Sequence, residues 1–194
     1  RDQPRSRGLG DVYKRQAYVT YNVDAMIAIL TIEASRADGL VIGEDLGTVP
    51  NYVRKVLASH GVLGTVVEWF ARVDDSPNAG DPYDDPTNYR KYALASVTTH
   101  DLPPTAGYLQ FEHVQLRERL HLLTESVESF QASATAERQA MLNRLRTLGL
   151  ISDEEADDAD SHIPQIVEAM HAMLRKSPSL LIQAALVDLS LIHI

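Results

Sequence analysis

Two pairs of ionisable residues in this sequence each follow a short run of apolar or β-branched residues. Glu44 and Asp45 come after L-V-I-G, and His100 and Asp101 come after S-V-T-T. A partly buried glutamate with a second carboxylate beside it has a raised pKa and can act as a general acid. An aspartate on a second strand supplies fixed negative charge opposite a cationic transition state. Two or three carboxylates around a sugar ring are the usual equipment for glycosidic chemistry.

Aromatic and glycine residues near these pairs fit a carbohydrate ligand. Trp69 and Phe70 offer flat apolar faces on which sugars stack through their C–H groups, and Gly43 and Gly47 allow a ligand to approach the backbone closely. Ordinary structural explanations remain open for each feature. A carboxylate after a strand is often an N-cap or an ion-pair partner, a histidine is often structural, and a tryptophan is often part of the core. The other histidines lack metal-ligand spacing, so no metal site is predicted.

The elements that must position these residues alternate along the chain. The predicted strands are residues 17–21, 40–43, 64–70, 92–99 and 180–188, and the helical patterns are 23–36, 50–60, 114–130, 136–148 and 164–175. Asn22 is the predicted N-cap of the first helix, and the S-x-x-E motif at Ser152 predicts a capping box. Such alternation indicates βαβ units and a parallel sheet, either a barrel or a doubly wound sheet, with ligands at the carboxyl ends of the strands.

Composition excludes several classes of protein. The 194 residues contain no cysteine, which rules out a disulfide framework, a thiolate metal site and a cysteine nucleophile. A net charge of −9 argues against a general nucleic-acid binder. The sequence contains no apolar run of about 20 residues and does not open on a signal-peptide pattern. We therefore expect a cytoplasmic protein without nucleic-acid or membrane partners.

The two ends of the chain look like translated adapter DNA. The hexamers D-V-Y-K-R-Q (residues 11–16) and L-S-L-I-H-I (residues 189–194) can be encoded by complementary DNA strands, and that DNA resembles a transposon adapter used for sequencing libraries. We interpret residues 1–16 and 189–194 as adapter or assembly artefacts and residues 17–188 as the genuine protein. Because residues 1–16 carry a net charge of +3, the genuine stretch bears −12.

Three segments of the genuine stretch resemble one enzyme family. The segments V-I-G-E-D-L-G-T-V (41–49), G-V-L-G-T-V-V-E-W-F (61–70) and S-V-T-T-H-D-L-P-P-T-A-G-Y-L (96–109) are similar to 4-α-glucanotransferases of the amylomaltase, or disproportionating enzyme, family. Either the x-G-E-D-L-G or the T-H-D motif alone is weak, whereas both at this separation form a specific combination. The similarity runs in order along residues 17–188.

The resemblance implies an α/β fold, the C-terminal part of a (β/α)₈ barrel of the α-amylase clan. A helical insertion is expected at about 112–176. The implied substrates are α-1,4-glucans and maltooligosaccharides, and no cofactor is implied. An oligomeric state is not predicted.

The resemblance also implies a role for individual residues. Glu44 matches the general acid/base after the fifth barrel strand, Asp101 the transition-state-stabilising carboxylate after the seventh, and His100 a histidine that hydrogen-bonds the reacting sugar. Trp69 and Asp45 are further expected substrate contacts.

The family's nucleophile is an aspartate in an R-x-D-H motif, which this sequence does not contain. We expect that motif upstream of residue 17, and we expect the chain alone to be inactive. The implied reaction of the intact enzyme is glucan transfer by double displacement with retention. Two alternatives remain at this stage. One is another hydrolase or transferase of the α-amylase clan, and the other is a non-catalytic glucan-binding or structural α/β domain.

Overall fold

A computed structural model describes residues 21–47 and 49–191 of the chain. The chain divides after Gly39 into two units, of which the first contains helix α1 (Val23–Arg36). The side chain of Asn22 accepts a hydrogen bond from the Ala25 N–H at 3.0 Å, which confirms the predicted N-cap. The strand predicted at residues 17–21 lies outside the described residues except for its last position.

The second unit is built on a parallel sheet of three strands, β1 (Gly64–Val67), β2 (Ala93–Ser96) and β3 (Leu181–Gln183), in that order. The predicted strand at residues 40–43 lies parallel beside β1 and is joined to it by a single bridge between Ile42 and Leu63. Four parallel segments therefore follow one another in chain order, and their carboxyl ends share one edge.

Seven further helices lie in this unit within the described residues. They are α2 (Asn51–Ser59), α3 (Thr105–Leu109), α4 (Glu112–Arg119), α5 (Val127–Thr147), α6 (Asp153–Asp157), α7 (Ile163–Leu174) and α8 (Leu186–Leu191). The predicted capping box is present, because Ser152 and Glu155 exchange side-chain and backbone hydrogen bonds. In the described ranges, every helix is too short or too polar to cross a membrane.

The strands are shorter than predicted. The run predicted as strand at 64–70 leaves the sheet at Glu68, where three residues form a 3₁₀ turn. The strand predicted at 92–99 ends at Ser96, and the last predicted strand, 180–188, is three residues long before α8 begins. Apolar residues continue past each strand end: Trp69 and Val97 pack in the core, whereas Leu186 after β3 is exposed at the start of α8. Hydrophobicity alone therefore does not mark where strand pairing stops.

The helical pattern predicted from 114 to 130 is interrupted. Helix α4 ends at Arg119, and α5 begins after Ser126, whose hydroxyl accepts a hydrogen bond from the Ser129 N–H at 3.1 Å. Helix α5 then runs without interruption through residues 131–135, which the sequence patterns left between two predicted helices. The N-cap serine fixes the start of α5, whereas regularly spaced leucines run through the break and conceal it.

The main core lies between the sheet and the helices that follow β2. Val66 of β1 and Ala95 of β2 are paired in register and belong to this core. Facing them, α7 contributes fully buried side chains, including Ile166, Met170 and Met173. This packing makes the sheet a stable base for the residues at its carboxyl edge.

A buried ion pair attaches α5 to the end of β1. Glu68 is completely buried, and its two carboxylate oxygens accept hydrogen bonds from Arg144 of α5 and from the Tyr89 hydroxyl, the latter at 2.6 Å. Arg144 also donates to the Tyr89 oxygen at 3.1 Å. Burial raises the pKa of Glu68, and the Arg144 charge and the Tyr89 hydrogen bond oppose that rise. The three side chains thus form a closed network.

A second ion pair joins the same two parts of the chain. Arg72, five residues beyond the end of β1, donates to Glu137 of α5 at 2.6 Å. The other oxygen of Glu137 accepts a hydrogen bond from Tyr108. Arg72 also lies over the ring of Tyr83, with its guanidinium carbon 3.7 Å from the ring centroid. Helix α5 is therefore held at two points along its length.

We predict that Glu68→Gln lowers the free energy of unfolding by about 3–5 kcal/mol, because the Arg144 charge then stays buried without its counter-ion. The matched control is Asp160→Asn, since Asp160 pairs with Arg138 on the same helix at 2.7 Å but is 79% exposed. That control should change the free energy of unfolding by less than about 1 kcal/mol. Urea unfolding can be followed by the fluorescence of Trp69, the only tryptophan. Equal losses in the two variants would contradict the prediction.

Candidate active site

The Glu44–Asp45 pair lies in the turn where the segment 40–43 ends. Glu44 is exposed, and Asp45 is buried, with 3% of its surface accessible. The partial burial that we expected for Glu44 is thus not observed. Asp45 takes the inward position because its Oδ1 accepts a hydrogen bond from the Thr65 N–H at 2.9 Å, while the Thr65 hydroxyl donates to the Gly43 carbonyl at 3.1 Å. The Asp45 carboxylate thus continues the hydrogen bonding between this part of the chain and β1 beyond the Ile42–Leu63 bridge.

Two arginines surround the buried carboxylate of Asp45. Arg90 donates to both of its oxygens, at 2.6 and 3.0 Å, and Arg54 Nε lies 3.4 Å from Oδ2. Burial raises the pKa of Asp45, but the hydrogen bonds from Arg90 and Thr65 and the two positive charges outweigh burial and hold that pKa below its ordinary value. Both oxygens contact protein donors here, and the predicted contact of Asp45 with a sugar stays a prediction.

His100 and Asp101 lie in the turn after β2. Both side chains are exposed, and His100 Nε2 is 3.3 Å from Asp101 Oδ1. The Asp101 N–H donates to the Thr99 hydroxyl at 3.3 Å. An imidazole and a carboxylate that both face solvent can each reach a polar ligand, which suits hydrogen bonding to sugar hydroxyls.

The aromatic pair divides between core and surface. Trp69 is buried in the main core, with its ring centroid 4.4 Å from that of Tyr108 and 6.3 Å from that of Tyr83. Phe70 is 53% exposed. In this structure the flat apolar surface open to a ligand is therefore that of Phe70, whereas Trp69 has the core position that is common for tryptophan.

The predicted residues share the carboxyl edge of the sheet. Glu44 follows the segment 40–43, Phe70 follows β1, and the His100–Asp101 pair follows β2. The segments that these two acidic residues follow have β1 between them. This edge is where parallel α/β proteins bind ligands.

A cleft of about 670 Å³ opens beside this edge. Asp45, Arg54, Arg90, Phe70 and Tyr89 line it, whereas neither Glu44 nor the His100–Asp101 pair does. Within the described parts of the chain, no group of three or more histidine, aspartate or glutamate side chains is arranged to hold a metal ion.

Sequence reasoning did not identify Arg90. The available signal was Gly64 at the start of β1, since glycine in a strand often marks close approach of another group. A Cβ atom at Gly64 would lie 2.4 Å from the Arg90 guanidinium nitrogen Nη1. The glycine leaves the space that the arginine needs to reach Asp45.

Exposed carboxylates and an imidazole near the carboxyl edge of a parallel α/β sheet are an arrangement that enzymes acting on carbohydrates use. Residues 11–193 match the model of glycoside hydrolase family 77, described as 4-alpha-glucanotransferase. The chain therefore belongs to the 4-alpha-glucanotransferase family.

Individual relatives agree with this assignment. A 4-alpha-glucanotransferase of Mycobacterium bovis is 47% identical over 171 residues, which are 88% of this chain and 23% of that protein. One of Haemophilus influenzae is 33% identical over 162 residues, 82% of this chain and 21% of that protein. The crystal structure of amylomaltase from Corynebacterium glutamicum superposes with a TM-score of 0.76 at 35% identity and covers 87% of this chain and 24% of that one. The chain thus spans about a quarter of the length of these relatives.

We predict that the cost of Asp45→Asn decreases with falling pH. The folded-state pKa of Asp45 lies below the ordinary 3.8, so its contribution to stability is complete above that value and is lost as the pH falls through the folded-state pKa. The variant should unfold at lower urea concentration than the parent at pH 7, and the difference should shrink at pH 3. A difference that is the same at both pH values would contradict the prediction. Asp160→Asn, at an exposed carboxylate, serves as the control.

Proposed function

We propose that the protein containing this chain is a 4-α-glucanotransferase, which transfers α-1,4-glucan segments to a glucan or glucose acceptor. The observation that carries the proposal is the pair of exposed carboxylates, Glu44 and Asp101, in the turns that follow two parallel segments with β1 between them. Family membership and the 47% identical relative support the same activity. A non-catalytic glucan-binding domain would not need two exposed acidic groups at the carboxyl edge of its sheet.

The proposed fold of the whole domain is a (β/α)₈ barrel, and residues 17–188 would form its C-terminal part. Four parallel segments in chain order support this proposal, since adjacent barrel strands follow the sequence. A barrel has eight strands and typically about 250 residues. Helices α4 to α7, within about residues 112–176, fit the expected insertion because they come between β2 and β3, whereas α2 alone connects the segment 40–43 to β1.

The proposed reaction is double displacement with retention. Glu44 protonates the departing glycosidic oxygen while an aspartate from the R-x-D-H motif, which this sequence lacks, attacks the anomeric carbon. The C–O bond to the leaving glucan breaks, and a glycosyl-enzyme ester forms. Glu44 then removes the proton from the 4-hydroxyl of an acceptor, whose oxygen displaces the ester carboxylate. Retention requires nucleophile and acid/base to be about 5–5.5 Å apart.

Asp101 and His100 would act on the sugar that reacts. The Asp101 carboxylate opposes the positive charge that develops on the ring in the oxocarbenium-like transition state, and it accepts hydrogen bonds from ring hydroxyls. His100, 3.3 Å from Asp101, is placed to bind the same sugar. Phe70, in the turn after β1, offers an apolar face to the glucan chain.

We predict that Glu44→Gln and Asp101→Asn in the full-length protein each lower the rate of maltotriose disproportionation by about 10³-fold or more, because each removes a group that acts in the transition state. Both residues are exposed, so the unfolding temperature should not fall. Glu154→Gln, at an exposed glutamate of α6, is the matched control and should transfer at the parent rate. Parent-like rates in either site variant would refute the assignment. Transfer conserves the number of reducing ends, so an increase in reducing ends would instead favour a hydrolase of the same clan.

We also predict that the purified chain alone does not disproportionate maltotriose. The sequence contains no R-x-D-H motif and therefore lacks the proposed nucleophile. The measurement is release of glucose from maltotriose, compared with the full-length protein at equal concentration. Glucose release by the chain above the buffer rate would show that the nucleophile has been assigned incorrectly.

A further inference from the structure

Arg90 connects the turn that holds Glu44 to two strands of the sheet. Besides its paired contacts with Asp45, its Nη2 donates to the Thr65 carbonyl of β1 at 2.5 Å. Its own carbonyl accepts a hydrogen bond from the Ser179 hydroxyl at 2.9 Å, two residues before β3. The Arg90 backbone is thus fixed while its guanidinium reaches across to the turn.

The residues around Arg90 leave space for its guanidinium and hold Asp45 as well. The absent side chain at Gly64 leaves room for the guanidinium against β1. From the other side, Arg54 of α2 donates to the Asp45 carbonyl at 3.3 Å and lies beside its carboxylate. The backbone and the side chain of Asp45 are therefore both held, by groups from three different parts of the chain.

Glu44 depends on this arrangement for its position. Within the described residues, the Glu44 side chain has no hydrogen bond or ion pair of its own. It shares a planar peptide with Asp45, so fixing Asp45 fixes one side of the Glu44 backbone. A displacement of about 1 Å at a reacting group can reduce the rate roughly 100-fold.

We propose that Arg90 is a positioning residue for the acid/base Glu44 and acts by holding the carboxylate of Asp45. This proposal rests on the proposed function of Glu44. Arg90 need not touch the substrate. Its bidentate geometry is the property that matters, because two parallel hydrogen bonds fix the plane of the carboxylate, which a single lysine ammonium does not.

The test compares two donors in the full-length protein. Maltotriose loses a sugar alkoxide, which needs the proton of Glu44. With α-maltosyl fluoride the C–F bond breaks and fluoride leaves with the electron pair, so no protonation is needed in the first step. The ratio kcat/KM reports that first step for each donor. A defect confined to the position of the acid therefore affects maltotriose alone, whereas a smaller folded fraction lowers both values equally.

We expect Arg90→Met to lower kcat/KM for maltotriose about 30- to 100-fold and for α-maltosyl fluoride less than about threefold. Arg90→Lys should retain the charge and lose about fivefold with maltotriose only. The matched control is Arg146→Met, since Arg146 is 45% exposed, close to the 38% of Arg90, and pairs with Asp153 at 3.6 Å. It should change neither donor more than about twofold.

Equal losses for both donors in Arg90→Met and Arg90→Lys, or no loss in either variant, would overturn the positioning role. Should Arg90→Met fail to fold, the selective loss in Arg90→Lys decides the question. Glu44→Gln separates the two proposals. If Glu44→Gln does not lose more kcat/KM with maltotriose than with α-maltosyl fluoride, the assignment of Glu44 as the acid fails, whatever the Arg90 variants show. If Glu44→Gln is selective and the Arg90 variants are not, only the positioning role fails.

Discussion

The carboxylate of Asp45, paired with Arg90, is the interaction on which the edge of the sheet depends. The segment 40–43 has only one bridge to β1, between Ile42 and Leu63, and the sheet would have little hold on the turn that follows. A buried charge is costly to desolvate, and a bidentate arginine with an additional backbone N–H offsets that cost. Through this contact the turn that carries Glu44 becomes part of the sheet.

A second buried carboxylate holds the chain where it leaves β1. Glu68 directly follows β1 and pairs with Arg144 of α5, and Arg72 makes a second link to the same helix through Glu137. The residues that hold the backbone thus differ from those proposed to act on the substrate. The buried carboxylates fix the backbone, whereas Glu44 and Asp101 face solvent, where a substrate can reach them.

Local signals made part of the fold predictable. Asn22 and Ser152 mark helix starts because their side chains bond the first free N–H groups, and that chemistry is confined to a few neighbouring residues. The alternation of strands and helices, which is also visible in short stretches of sequence, indicated the parallel sheet. The break between α4 and α5 was missed because regular leucines pass through it. The contact of Arg90 with Asp45 joins residues 45 positions apart, and no local pattern encodes it. The burial of Trp69 likewise depends on Tyr108, on a later helix.

A crystal structure of the full-length protein in its Glu44→Gln form, soaked with maltotriose, tests the site most directly. The amide at position 44 should lie about 2.6–3.2 Å from the oxygen of one glycosidic bond. Asp101 and His100 should contact hydroxyls of the sugar on one side of that same bond, and Asp45 should keep its contacts with Arg90. Two results would contradict a catalytic role for this pair of carboxylates. One is maltotriose bound so that residues 44 and 101 do not contact the same glycosidic bond and its adjoining sugar. The other is maltotriose bound away from the carboxyl edge of the sheet.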